Sequence, residues 1–187
     1  RDDVESRGLG DVYKRQHNTL TINGERHLVK SNAPITRTFE SKKQKGAEVD
    51  LSSVFANSVK KVVRTVILDQ KDHLEVTDRL ETGDKEAAVS WIMVTPAEAK
   101  ITGKNRMELT KDGQRMLLTV DADTEVEMKT WSNVPPHEYD FRNPGTIRVG
   151  FETVIPANRA SQLKVRLIPL KLSLIHISEP TRLDVIS

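Results

Sequence analysis

Two runs decide the fold: residues 73–81, HLEVTDRLE, and residues 146–156, TIRVGFETVIP. In the first, Leu74, Val76 and Leu80 fall on one side of an extended chain, while Glu75, Thr77, Arg79 and Glu81 fall on the other. In the second, Ile147, Val149, Phe151 and Ile155 oppose Thr146, Arg148 and Glu152. Successive side chains of a strand point to opposite sides, so this period of two, rich in β-branched residues, describes strands with one buried face. Working outward, the same pattern predicts strands at 18–22, 25–29, 60–69, 87–95, 107–110, 114–120, 124–131 and 161–168. Asn23-Gly24 and Asp112-Gly113 supply the positive-φ residues of tight hairpins, and 69–72 and 83–85 read as polar reversals. No stretch keeps a helical period, and there is neither a glycine-rich phosphate loop nor an internal repeat. The expected fold is all-β: an antiparallel β-sandwich.

Composition narrows the function classes. The 187 residues carry 29 Lys and Arg against 27 Asp and Glu, a formal net charge of +2. The two signs are interspersed, which argues against nucleic acid as a partner, because that binding needs a concentrated basic face. No run reaches the roughly 18 apolar residues of a membrane-spanning helix. Cysteine is absent, and disulfides, thiol catalysis and thiolate metal sites are absent with it. Oligomeric state is not legible in these patterns.

Two segments break the strand pattern. Residues 31–46, with the run SKKQKG at 41–46, read as a solvated loop. Residues 131–145, WSNVPPHEYDFRNPG, are stiffened by prolines and crowd Trp131, His137, Tyr139 and Arg142 together, which makes them the best local candidate for a ligand surface. Trp131 shares the polar face of its strand with Glu125, Glu127 and Lys129; it either stacks on a sugar ring or packs its own loop. Asp78 falls between Val76 and Leu80 on an apolar face, and a buried carboxylate there needs a partner, for which Arg64 and Arg79 are in reach. Asp50, Asp69 and Asp72 sit at turns, where carboxylates accept from nearby backbone N–H groups. His17 opens the run HNTLTINGE as either a metal ligand or a hydrogen-bonded structural histidine; His27, His73 and His137 are scattered. No Ser/His/Asp arrangement and no singled-out carboxylate pair for glycoside hydrolysis is visible.

The two ends of the chain are related to each other. Paired from the outside inward, Arg1 with Ser187, Asp2 with Ile186 and so on to Gln16 with Leu172, every residue has a codon whose reverse complement encodes its partner. Residues 1–16 and 172–187 are therefore expected to be the translated strands of one sequencing-library adapter. On that expectation residues 17–171 are a gene fragment about one domain long, with poor solubility to follow from strands left unpaired.

The runs HNTLTINGE at 17–25, KKVVRTVILDQKDHLEVTDRLE at 60–81, SWIMVTPAE at 90–98 and WSNVPPHEYDFRNPGTIRVGFETVIPANRASQLKVRLIP at 131–169 resemble the C-terminal part of heparinase II/III-like polysaccharide lyases. The resemblance spans nearly all of 17–171. It implies a parent with an N-terminal α/α toroid followed by β-sandwich domains, which cleaves uronic-acid-containing polysaccharide, such as a glycosaminoglycan or alginate, by β-elimination. A base removes the C5 proton and an acid protonates the leaving oxygen. The resemblance places those catalytic groups upstream of His17, so none is expected here and the fragment alone is expected to be inactive. It also implies a bacterial, periplasmic or secreted parent, and a zinc site in that parent to which His17 contributes. No cofactor is expected for the fragment. Trp131, His137, Tyr139 and Arg142 are the candidate substrate contacts. The competing reading from the residues alone is a non-catalytic carbohydrate-binding or structural sandwich.

Overall fold

A computed structural model of the chain describes residues 18–25, 27–28, 30–134 and 143–170. Among them are twelve strands and no helix: β1 Thr19–Ile22, β2 Ile35–Glu40, β3 Gln44–Asp50, β4 Lys61–Asp69, β5 Leu74–Glu81, β6 Ala87–Thr95, β7 Glu98–Gly103, β8 Arg106–Lys111, β9 Gln114–Ala122, β10 Val126–Ser132, β11 Ile147–Ile155 and β12 Ala160–Leu170. They form two antiparallel sheets, one of four strands in the order β1-β6-β11-β10 and one of eight in the order β2-β3-β4-β5-β12-β9-β8-β7. The all-β sandwich expected from the period-two runs is the fold observed.

The inward faces meet as the alternation requires. From the small sheet come Leu20, Ile22, Val89, Trp91, Val149 and Phe151, and from the large one Val62, Leu80, Met107, Leu118, Leu163 and Val165, all buried. Burying a side chain of this size contributes about 1.5–3 kcal/mol, so these facing rows supply most of the drive to fold. The segment between β3 and β4 crosses this core, inserting Phe55 and Val59, and its start is fixed by Leu51 N–H donating to the Val62 carbonyl at 2.8 Å.

The turn readings divide. Asp112 and Gly113 have φ of 50° and 75° and close the β8–β9 hairpin, with Lys111 opposite Gln114. Asn23 and Gly24 also have positive φ, 53° and 65°, but the expected hairpin with 25–29 is not there. Glu25, His27 and Leu28 are not in a strand, because the free edge of β1 is not reached; instead Asn23 extends the β1–β6 ladder, its N–H donating to the Ala88 carbonyl at 2.8 Å and its Oδ1 accepting from Ala88 N–H at 2.9 Å. His27 turns back, its Nε2 3.2 Å from the Leu20 carbonyl and its ring edge-on to Phe55.

Residues 31–46 also depart from expectation. They hold β2 and the start of β3, joined at Ser41, whose N–H donates to the Gln44 carbonyl. This hairpin forms the outer edge of the large sheet, and most of β2 is exposed on both sides. A strand with no buried face carries no alternation, which is why it reads as loop. Phe39 stands directly opposite Gly46 and covers it, so closely that a Cβ on Gly46 would lie 2.6 Å from the Phe39 ring. β7, at the other edge, went unpredicted for the same reason.

Asp78 is fully buried on the inward face of β5. The register puts Arg64 directly across from it, and the guanidinium grips the carboxylate with two parallel bonds, Nε to Oδ1 at 2.7 Å and Nη2 to Oδ2 at 2.9 Å. Arg79, the other expected partner, points to the outward face and reaches Thr65 Oγ1 instead. Two of the three turn carboxylates behave as expected: Asp50 Oδ1 accepts from Ser52 N–H, and Asp69 Oδ1 from Lys71 and His73 N–H, while Asp72 serves the turn through its backbone, at a φ of 59° with its N–H donating to the Asp69 carbonyl.

Candidate functional site

The four strands of the small sheet bring the two candidate regions of the sequence to one end of the molecule. β1 and β11 begin at this end, and β6 and β10 finish there. Asn18 and residues 132–134 therefore lie at the same rim, on strands three ladder spacings apart, about 14 Å. His17, His137, Tyr139 and Arg142 lie outside the described residues. Their neighbours are described and fix the rim. Asn18 Oδ1 accepts from Val94 N–H at 2.8 Å, which anchors the first residue after His17 to the last turn of β6. At the base of the loop, Asn133 is buried and its Nδ2 donates to Thr146 Oγ1 at 2.7 Å, while that hydroxyl donates to the Asn143 carbonyl at 2.7 Å. Asn133 Oδ1 has no hydrogen-bond partner among the described residues.

Trp131 takes the outward side of β10, as the period-two reading places it. Directly across the ladder is Arg148 on β11, and across from Arg148 is Val94 on β6. The row therefore reads Trp131, Arg148, Val94: a ring, a cation and an apolar side chain on one outward face. Arg148 holds its position by donating through Nε and Nη2 to the Ser132 carbonyl, at 3.1 and 2.7 Å. Sequence reasoning placed Arg148 on the polar side of its strand but did not single it out; the signal that finds it is the register, which pairs residues 17 apart in the chain.

One row further along the same face stand Lys129, Gly150 and Ile92. Gly150 is required by the close approach of β11 to β6, since a Cβ there would lie 1.8 Å from the Trp91 carbonyl oxygen. Next comes an acidic row, Glu127 opposite Glu152, with Ser90 beyond. Lys129 Nζ lies 2.5 Å from Glu152 Oε2 and 3.2 Å from Glu127 Oε2, and its hydrogen bond to Glu152 first, then that to Glu127, raises the ammonium above its ordinary lysine value. Lys129 thus neutralises the acidic row and separates it from the Trp131–Arg148 row.

Zinc does not fit what is described. Among the described residues no three His, Cys, Asp or Glu side chains are grouped to hold a metal ion, and structural and catalytic zinc sites need three or four.

The chain matches the family model for the heparinase II/III-like C-terminal region over residues 14–171. It belongs to that family. Solved structures with the same fold include heparinase III, with a TM-score of 0.65 at 15% identity over 85% of this chain and 24% of that one. A second heparinase III gene product gives a TM-score of 0.67 at 16% identity, covering 91% and 26%. A mutant of the heparan sulfate lyase HepC from Pedobacter heparinus gives 0.62 at 17%, covering 91% and 27%. At these identities the likeness is one of fold. No curated protein matches the chain. The heparinase-like chain spans about a quarter of the length of these structures.

Proposed function

We propose that residues 17–171 are the sandwich portion of a polysaccharide lyase, whose full-length form cleaves a uronic-acid-containing polysaccharide by β-elimination, and that this chain alone has no lyase activity. The observation that carries this reading is the family match over 14–171, laid on a two-sheet sandwich of heparinase III type. The base that takes the C5 proton and the acid that protonates the leaving oxygen are assigned to parts of the parent outside this chain. The role of the sandwich is to hold the polymer, with Trp131, His137, Tyr139 and Arg142 as its contacts. A parent exported to the periplasm or beyond, and a zinc site in it using His17 with ligands supplied from elsewhere, complete the reading. Among the described residues no helix is long and apolar enough to cross a membrane.

The test is to recover the coding sequence upstream of residue 17, express the longer protein beside the present chain, and follow ultraviolet absorbance of unsaturated uronide products. Absorbance should rise with the longer protein on at least one acidic polysaccharide and stay flat with the present chain. Turnover by the present chain, or a parent without a helical toroid and without β-elimination, overturns the reading. The second reading, a carbohydrate-binding module without catalysis, draws support from the outward position of Trp131 beside Arg148; sugar binding by a parent that has no toroid would favour it.

A further inference from the structure

We infer that a hollow on the outward face of the large sheet, between Lys61 and Val63 of β4 and Arg79 and Glu81 of β5, is a binding site for an uncharged sugar unit of a polysaccharide. The class of ligand rests on the polysaccharide reading above; the residues and the preference for an uncharged unit rest on the sheet geometry.

The register builds the hollow. Lys61 stands directly across from Glu81, and Val63 across from Arg79, whose other neighbour is Gln162 on β12. Opposed residues of an antiparallel pair have Cβ atoms about 4.5–5.5 Å apart, and like-facing residues of one strand follow each other at about 7 Å. The four side chains therefore stand at the corners of a rectangle about 5 by 7 Å, the footprint of one pyranose ring. Ala160, across from Glu81 on β12, is too short to fill the space beside it. The hollow measures about 470 Å³, with Glu48 of β3 and Gln162 among its walls. Small-ligand sites fall between about 300 and 1,000 Å³.

The polar groups in it are not spent on one another. Elsewhere on this face opposite charges close up: Glu75 takes Lys164 and Arg166 at 3.3 and 2.9 Å, and Glu108 takes Arg115 at 2.7 Å. In the hollow Lys61 and Arg79 both flank Glu81, and neither forms an ion pair with it. Arg79 makes one long hydrogen bond, from Nη1 to Thr65 Oγ1 at 3.4 Å, which leaves Nε and Nη2 without a partner among the described residues. Lys61 acts on Asp50 only through its field, well after the hydrogen bonds from Ser52 that chiefly hold that carboxyl below its ordinary value. Glu48 accepts from the Thr36 and Thr65 hydroxyls at 3.1 and 3.5 Å, and a carboxylate, with about four lone-pair sites, has capacity beyond these.

Donors and acceptors thus alternate around Val63 as an apolar floor. A sugar hydroxyl is donor and acceptor at once, so neighbouring hydroxyls of one ring can donate to Glu81 and Glu48 while accepting from Arg79, Lys61 and Gln162. The C–H face of the ring then rests on Val63. A simple anion or cation would satisfy only half of these groups. The lining charges also cancel, Lys61 and Arg79 against Glu48 and Glu81, with Asp123 at the margin faced by Arg159 at 3.8 Å. A uronate gains no net attraction here, which separates this hollow from any surface that takes the acidic units of the polymer.

The test is isothermal titration of the 187-residue chain with an uncharged gluco-oligosaccharide and an N-acetylhexosamine oligosaccharide, in parallel with a size-matched oligouronate. At least one of the uncharged sugars should bind. R79A and E81Q should each weaken that binding about tenfold, the worth of one charge-assisted hydrogen bond, and leave the affinity for the oligouronate as it was. K104A, an exposed position outside the hollow, should change neither. Should R79A fail to fold, R79K serves: it keeps the charge without the planar fork and is expected to lose part of the affinity. No binding of either uncharged sugar, wild-type affinity in R79A or E81Q, or an equal loss for the oligouronate overturns the inference. Failure of the lyase reading is separate. A parent without β-elimination whose sandwich still binds an uncharged sugar through Arg79 removes the enzyme and leaves the site standing; a parent with β-elimination whose sandwich is indifferent to R79A does the reverse.

Discussion

The small sheet carries one tryptophan on each face, and the two are used in opposite ways. Trp91 points inward, 4% exposed, stacked nearly parallel to Phe151 directly across the ladder, and its indole N–H finds no acceptor among the described residues. Trp131 points outward, partly exposed, with a cation across the ladder instead of a second ring. The guanidinium groups follow the same division. Arg64 is turned inward and grips Asp78 with two parallel bonds, whereas Arg148 is turned outward and donates to the Ser132 carbonyl. Identical side-chain chemistry thus builds the core on one face and a candidate contact surface on the other. The strand parity alone decides which.

The inner half of this comparison breaks with the largest effect. Trp91→Ala is expected to cost about 3–5 kcal/mol in urea unfolding, as large aromatic truncations in packed cores do. Trp91→Phe should cost far less, about 1 kcal/mol, because it keeps the stack on Phe151 and removes the unpaired N–H. Asp78→Ala is expected to lose about 3–5 kcal/mol by stranding the Arg64 charge in the core, while the joint replacement Arg64→Met with Asp78→Leu should be close to neutral. If the single and joint replacements prove equally damaging, the loss comes from packing and not from charge.

The outer half should respond in binding and not in stability. Trp131→Ala is expected to shift the unfolding free energy by less than about 1 kcal/mol, with its effect read in sugar affinity. A smaller effect concerns acid. Burial works to raise the Glu75 carboxyl, but hydrogen bonds from Arg166 and Lys164 outweigh it and hold the carboxyl below its ordinary value. Its contribution to stability is therefore complete above the unfolded value, near 4.3, and is lost as pH falls through the lower folded value. Thermal melts between pH 7 and pH 3 should show a shallower acid decline in Glu75→Gln than in the parent chain. The smallest effect is at Lys104–Glu125, where both side chains are more than three-quarters exposed; Lys104→Ala should leave the melting midpoint unmoved.

What was legible in the sequence follows the same line between faces. Residues 73–81, 87–95 and 146–156 announce themselves because one side is apolar and the other polar, and each is a strand in the structure. β2 and the start of β3 do not, because a hairpin at a sheet edge with little buried surface has no contrast to show. Residues 25–29 mislead in the other direction: Asn23-Gly24 makes a turn, but a turn makes a hairpin only if the chain returns along the strand it left; β1 ladders with β6, more than sixty residues away, and its other edge is not reached by Glu25, His27 and Leu28. The candidate site divides likewise. Trp131 is readable as outward from parity alone. Its partnership with Arg148, the convergence of the HNT run on the same rim, and the choice of Arg64 over Arg79 for Asp78 depend on strand order and register, which local patterns do not contain.

The two tryptophans also provide the most direct test. With the indole N–H resonances of Trp91 and Trp131 assigned, the chain is titrated with oligouronate and both signals are followed. A shift of the Trp131 resonance with that of Trp91 unmoved is the result the two-face account predicts. A Trp131 resonance that stays fixed while ligand binds, or equal shifts of both indoles, would contradict it.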